Sequence, residues 1–159
     1  MSRLLRKALY SLLIIHSNGL AQQPESPFTI ERTVATEGFD GTMCWVHARA
    51  GAIPGASQSN PTGVMTLQKL QLSGSDVFYA LNEMRTFDLG TTWSKPFRHD
   101  SFSRVPFTFD GKEELEITVC DFSPKWHAQT GKLLGTGHTV VYENNKVRHV
   151  RPRATAYAV

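Results

Sequence analysis

"TFDLGTTW", residues 86–93, packs a turn acid, a glycine and a tryptophan into eight positions. Its physical reading decides what the rest of the chain is. Asp88 is placed to accept backbone N–H bonds from the residues just after it, as in Asx-turns. Gly90 supplies positive φ without a Cβ clash. Thr92 can brace the loop with its hydroxyl, and Trp93 returns the chain to the core under a large ring. Together they predict a rigid β-turn stapling two strands. The competing reading is a generic hairpin that happens to carry a tryptophan.

The surroundings are strand-like. Short runs rich in Val, Thr, Phe and Tyr recur after residue 22, broken by Gly, Pro, Asn and Asp. Strands are predicted over Phe28–Val34, Thr42–Arg49, Val64–Leu72, Asp76–Met84, Glu114–Phe122, Gly137–Tyr142 and Lys146–Val150, and another begins in "RATAYAV". In "TMCWVHAR", alternation places Cys44, Val46 and Ala48 on one face and Trp45, His47 and Arg49 on the other. "SGS" between Val64–Leu72 and Asp76–Met84 is a hairpin signal, and "ENN" reads as a turn. "AGAIPGASQSNPTG" is a loop by composition, and "SPKWHAQTGKLLGTG" a long hairpin-like excursion. Many short strands joined by turns define an all-β sandwich, barrel or propeller.

The chain has 159 residues and a formal net charge of +3, but Arg3, Arg6 and Lys7 account for that excess. From Gln22 onward 14 basic side chains balance 14 acidic ones, so no nucleic-acid groove is expected. Residues 1–21 have the order of a cleaved export signal: a basic start, an apolar core from Ala8 to Ile15, then Gly19 and Ala21 as small residues. The apolar core is too short to span a bilayer. This predicts a secreted or periplasmic protein whose residues 22–159 form the folded domain; a plain N-terminal helix is the alternative. Cys44 and Cys120, the two cysteines, read as buried thiols, with a disulfide as the alternative in an exported protein.

Thr86-x-Asp88-x-Gly90-x-Thr92-Trp93 resembles the Asp-box of sialidases and related β-propellers. "VFYALNEMR" before it is similar to the sialidase stretch in which a strand ends in an acidic residue and an arginine. "HARAGAIPG" resembles the Arg-Ile-Pro motif, with Ala-Gly-Ala inserted before Ile-Pro. "VCDFSPKWHAQTGKLLGTGHTVVY" is similar to bacterial sialidase-like sequences. The resemblance covers residues 28–159. It implies an all-β fold, part of a six-bladed propeller holding about one blade and the first strand of a second, and so the N-terminal portion of a larger protein. It also implies a structural box on the outer rim, between the third and fourth strands of a blade.

The implied family reaction is hydrolysis of terminal sialic acid glycosides, with sialylated glycans as partners and no cofactor. A non-catalytic carbohydrate- or protein-binding propeller piece is the alternative. Sialidases bind the substrate carboxylate with arginines and use a Tyr nucleophile. Arg49 stands where the Arg-Ile-Pro arginine would, a catalytic and substrate-binding candidate; its alternative is a solvated loop-edge charge. Asp121, after a strand, is the acid candidate. His127, His138 and Arg153 are substrate-binding candidates, against readings as turn-stabilising side chains and a basic linker. Arg85 is expected to ion-pair with Glu83. The Tyr nucleophile and its Glu partner have no match. Asp121, His127 and His138 fit no zinc signature, so no metal is expected.

Overall fold

A computed structural model describes residues 28–55, 59–73, 76–149 and 153–159. The proposed export signal lies outside them. Contacts divide the chain into two units, residues 1–31 and 32–159. Of the first, residues 28–31 are described, exposed and without regular structure.

The second unit is all-β, built from two antiparallel sheets. The first contains β1 (Met43–Ile53), β2 (Thr62–Gln71), β3 (Val77–Thr86) and β4 (Phe97–Arg98), side by side in chain order. The second contains β5 (Val105–Phe109), β6 (Lys112–His127), β7 (Lys132–Glu143) and β8 (Lys146–Val147), again in chain order, with β9 (Thr155–Ala158) pairing with β7. One turn of 3-10 helix over Asp100–Phe102 lies between the sheets in sequence and is the sole helix among the described residues. No helix there is long and apolar enough to cross a membrane.

Turn chemistry explains the hairpins. Asp110 and Gly111 join β5 to β6 with φ of 56° and 70°, values that Asp and Gly accept at a two-residue turn. Asn144 and Asn145 do the same between β7 and β8, with φ of 50° and 59°. The excursion after Phe122 is a continuation of β6 and β7, whose ladder runs on to His127 and Lys132.

Two expectations are corrected. Phe28–Val34 forms no strand. Val34, Ala35 and Thr36 instead line a hollow with Trp45, Met65 and Leu67 of the first sheet, and no ladder joins the segment to that sheet. Residues 105–158 do not extend the first sheet, and the strand after Arg153 does not open a new one. β5, β6 and β7 pair with one another, and β9 joins the outer edge of β7.

The core lies between the sheets. Phe78 of β3, Cys120 of β6, and Val140 and Tyr142 of β7 form its buried cluster. Tyr142 is fully buried; its hydroxyl donates to the Asp76 carbonyl (2.7 Å) and accepts from the Phe78 N–H (2.9 Å). Burial pushes its pKa up. The Arg104 guanidinium lies 3.9 Å from the Tyr142 ring centre and 4.8 Å from that of Tyr79, and donates to the Phe78 carbonyl at 2.8 Å. A stacked guanidinium thus joins the two sheets.

The turn at 86–93 sits between β3 and β4 and is built as its residues predict. Asp88 accepts from the Thr86 hydroxyl (2.8 Å), the Thr92 N–H (2.9 Å) and the Thr92 hydroxyl (2.6 Å). The Gly90 N–H donates to Thr86 Oγ1 at 2.9 Å. Gly90 has φ 93° and Leu89 φ 57°. Trp93 is half-buried rather than fully covered, its indole N–H donating to the Gly90 carbonyl at 3.2 Å. The Thr33 hydroxyl donates to that carbonyl as well, at 2.8 Å.

The Thr92 hydroxyl foremost, then the Thr92 N–H and the Thr86 hydroxyl, hold the Asp88 carboxyl at a pKa of about 2. A carboxyl with a depressed folded-state pKa stabilises above the unfolded value and loses that contribution as pH falls through the folded one. Asp88→Asn is therefore expected to be less stable than wild type at neutral pH, with the gap closing between about pH 4 and about pH 2. Urea unfolding across that range checks it; a gap that stays constant would show that the turn does not depend on the charge.

Candidate functional site

A cavity of about 290 Å³ opens where the two sheets meet, lined by His47, Asp76, Phe78, Cys120, Asp121, His138, Val140, Val147 and Arg153. Two β-bulges create it. In β1, Val46 pairs with Gln68 and Arg49 with Thr66, so three steps along β1 match two along β2. In β6, Cys120 pairs with His138 and Ser123 with Thr136, again three steps against two. His47 and Asp121 sit in these bulges with φ of 54° and 51°, left-handed values that His and Asp tolerate better than bulky residues do.

A bulge changes side-chain parity as well as register. In an unbroken strand Arg49 would share a face with Trp45, as the alternation predicts. The extra residue in β1 turns Arg49 to the side of Val46, toward the second sheet. Its Nη2 donates to Asp121 Oδ1 at 2.7 Å. His47 Nδ1 lies 3.3 Å from the same oxygen, close enough for ion pairing but off the geometry of a hydrogen bond, so this buried nitrogen has no hydrogen-bond partner. The His47 ring rests on Phe78, centroids 4.7 Å apart. Both partners of the Arg49–Asp121 pair are over a third exposed, so solvent screens the attraction.

Cys120 and His138 face each other across the β6–β7 ladder, Sγ to Nε2 3.0 Å. Cys120 is 2% exposed. The thiol, the Asp121 carboxylate and the His138 imidazole all lie within 4.8 Å of one another.

Of the residues singled out in the sequence, Asp121, His138 and Arg153 line the cavity together, and Arg49 bonds to Asp121 without lining it. His127 does neither: it ends β6 at the far tip of the hairpin, with Nδ1 2.8 Å from Thr130 Oγ1, and braces that turn. Arg85 binds Glu83 through its Nε, as expected, and Glu83 also contacts His99. The Thr86–Trp93 turn lies outside the cavity lining. Cys44 and Cys120 are not joined to each other. His47, Cys120 and Asp76 were not anticipated at a site. The alternation that put His47 opposite Val46 carried no sign of the bulge, since a bulge with a non-glycine residue leaves little sequence trace. The comparisons found no matching protein-family model, curated protein or solved structure.

The bulge at Asp121 makes a checkable demand. Asp121→Val forces a β-branched residue into left-handed φ and should cost about 1–3 kcal/mol of stability. Asp121→Asn, which tolerates that region, should unfold near the wild-type midpoint. Equal urea midpoints for the two variants would show that the backbone at residue 121 is not held there.

Proposed function

We propose that this chain is part of a sialidase-like, glycan-processing β-propeller protein, its two sheets being successive blades and its inter-sheet cavity facing an acidic sugar. The observation that carries the reading is a cavity lined by Asp121 and Arg153, with Arg49 bonded to the Asp121 carboxylate. Guanidinium groups recognise a sugar carboxylate through paired donors. The Asp121 carboxyl lining the same cavity would be the group to exchange a proton with a glycosidic oxygen. The Asp88 turn supports the reading independently, because it lies between the third and fourth strands of a four-stranded meander, where an Asp-box is expected.

A propeller closes with roughly four to eight blades, and under this reading the two sheets supply part of the ring. The reaction would be hydrolysis of terminal sialic acid glycosides. Among the described residues no tyrosine lines the cavity. The second reading is a non-catalytic carbohydrate- or protein-binding propeller piece. Export to the periplasm or outside the cell belongs to the same proposal.

Ligand-observed NMR with N-acetylneuraminic acid tests recognition. Saturation transfer to the acidic sugar is expected, at least tenfold weaker in Arg49→Ala, because the variant loses a charge-assisted pair worth about 1.5–3 kcal/mol. Equal transfer to the neutral sugar N-acetylmannosamine, or none to either, would overturn the carboxylate-binding role. Release of a fluorogenic aglycone from a sialoside separates the two readings: no turnover above a boiled control is expected from this chain.

A further inference from the structure

We infer that Cys120, Asp121 and His138 form a binding site for a borderline-soft divalent metal ion, zinc being the natural occupant. The inference stands on geometry alone and needs no glycan; with a metal bound, Asp121 would be a ligand and not the acid of the glycan reading. It also departs from the sequence expectation, because the two ligand-bearing strands are brought together by pairing and not by a short spacing motif.

Three donors converge: a thiol, a carboxylate and an imidazole nitrogen, mutually within 4.8 Å. Zn–S and Zn–N bonds of about 2.3 and 2.0 Å at a tetrahedral angle set sulfur and nitrogen about 3.5 Å apart. Cys120 Sγ and His138 Nε2 are 3.0 Å apart, so a shift of about half an ångström seats an ion between them. Thiolate with imidazole selects zinc over calcium or magnesium, which take oxygen ligands.

The bulge makes this donor set available. Adjacent residues on a regular strand point to opposite faces, so Cys120 and Asp121 could not both serve one ion. With Asp121 at φ 51°, both side chains reach the same cavity. Arg49 and His47 both approach Oδ1 of Asp121, which leaves Oδ2 as the ligand atom. Arg49 then orients the carboxylate from the outer shell.

A second observation points the same way. His47 Nδ1 is buried, lacks a hydrogen-bond partner and faces the cavity beside Asp121. Three protein ligands leave a tetrahedral ion one open position, which water fills in catalytic zinc sites. A metal-bound water in this cavity would give the His47 nitrogen the partner that the protein does not. The cavity, at about 290 Å³, has room for an ion and several waters.

Cobalt(II) titration of the purified chain tests the site, because a cobalt–thiolate bond gives a near-ultraviolet charge-transfer band that imidazole and carboxylate do not. One equivalent of cobalt should produce the band, and zinc should abolish it by displacement. Cys44→Ser should keep the band and Cys120→Ser should lose it. His138→Gln should weaken cobalt binding at least tenfold. Should Cys120→Ser fail to fold by far-ultraviolet circular dichroism, His138→Gln decides. No band in the wild-type chain, a band surviving in folded Cys120→Ser, or unchanged affinity in His138→Gln overturns the site.

Discussion

Two side chains of β2 fix how the sheets meet. The Thr66 hydroxyl donates to the carbonyl of Phe122, and the Gln68 amide donates to the carbonyls of Val119 (2.7 Å) and Tyr79 (2.9 Å). Both residues are almost fully buried. Phe122 has no partner in the β6–β7 ladder, because the register skips from Cys120 to Ser123. A bulge inside a core would orphan that carbonyl, at a cost of about 1–3 kcal/mol. Thr66 removes the cost and ties the bulge in the second sheet to the centre of the first. The sheets can slide only by breaking these bonds together.

The remainder of the interface follows from that register. Gly51 lies so close to the Pro124 backbone that a Cβ there would collide with it, so β1 and β6 touch main chain to main chain just beyond the bulges. His47 and Asp121 are then opposite each other, and the Arg49–Asp121 pair closes over them. At the other end Arg104 holds the sheets through Tyr142 and Tyr79. The cavity lies between two fixed points, which explains how partly exposed polar groups keep a defined geometry without a strong ion pair.

Much of the fold was legible because its signals are local. The Asp88 turn could be read from spacing, since the hydrogen bonds made by Thr86, Asp88, Gly90 and Thr92 with one another join residues at most four positions apart. Strand identities followed from β-branched and aromatic runs. Asp110-Gly111 is a hairpin signal of the same local kind and joins the first two strands of the second sheet. What could not be read is non-local. Phe28–Val34 has strand composition but pairs with no strand. The parity of Arg49 depends on one extra residue whose signature is a backbone angle. Cys120 and His138 read as a core thiol and a turn histidine until the β6–β7 register sets them face to face.

The chain-order strand arrangement has a kinetic meaning. Every neighbour within the two four-stranded paths is the next strand along the chain, so each sheet can grow hairpin by hairpin with small loop-closure entropy. Contacts between the sheets span far more sequence: Thr66 and Phe122 are 56 residues apart, and Arg49 and Asp121 are 72 apart. Docking of two preformed sheets is thus the step that carries the long-range entropy cost. The cavity residues belong to that step, since His47 and Arg49 come from one sheet and Cys120, Asp121 and His138 from the other. An opening that separates the sheets dismantles the whole site while leaving most backbone hydrogen bonds intact, and any ligand seated there acts as a latch on the docked form.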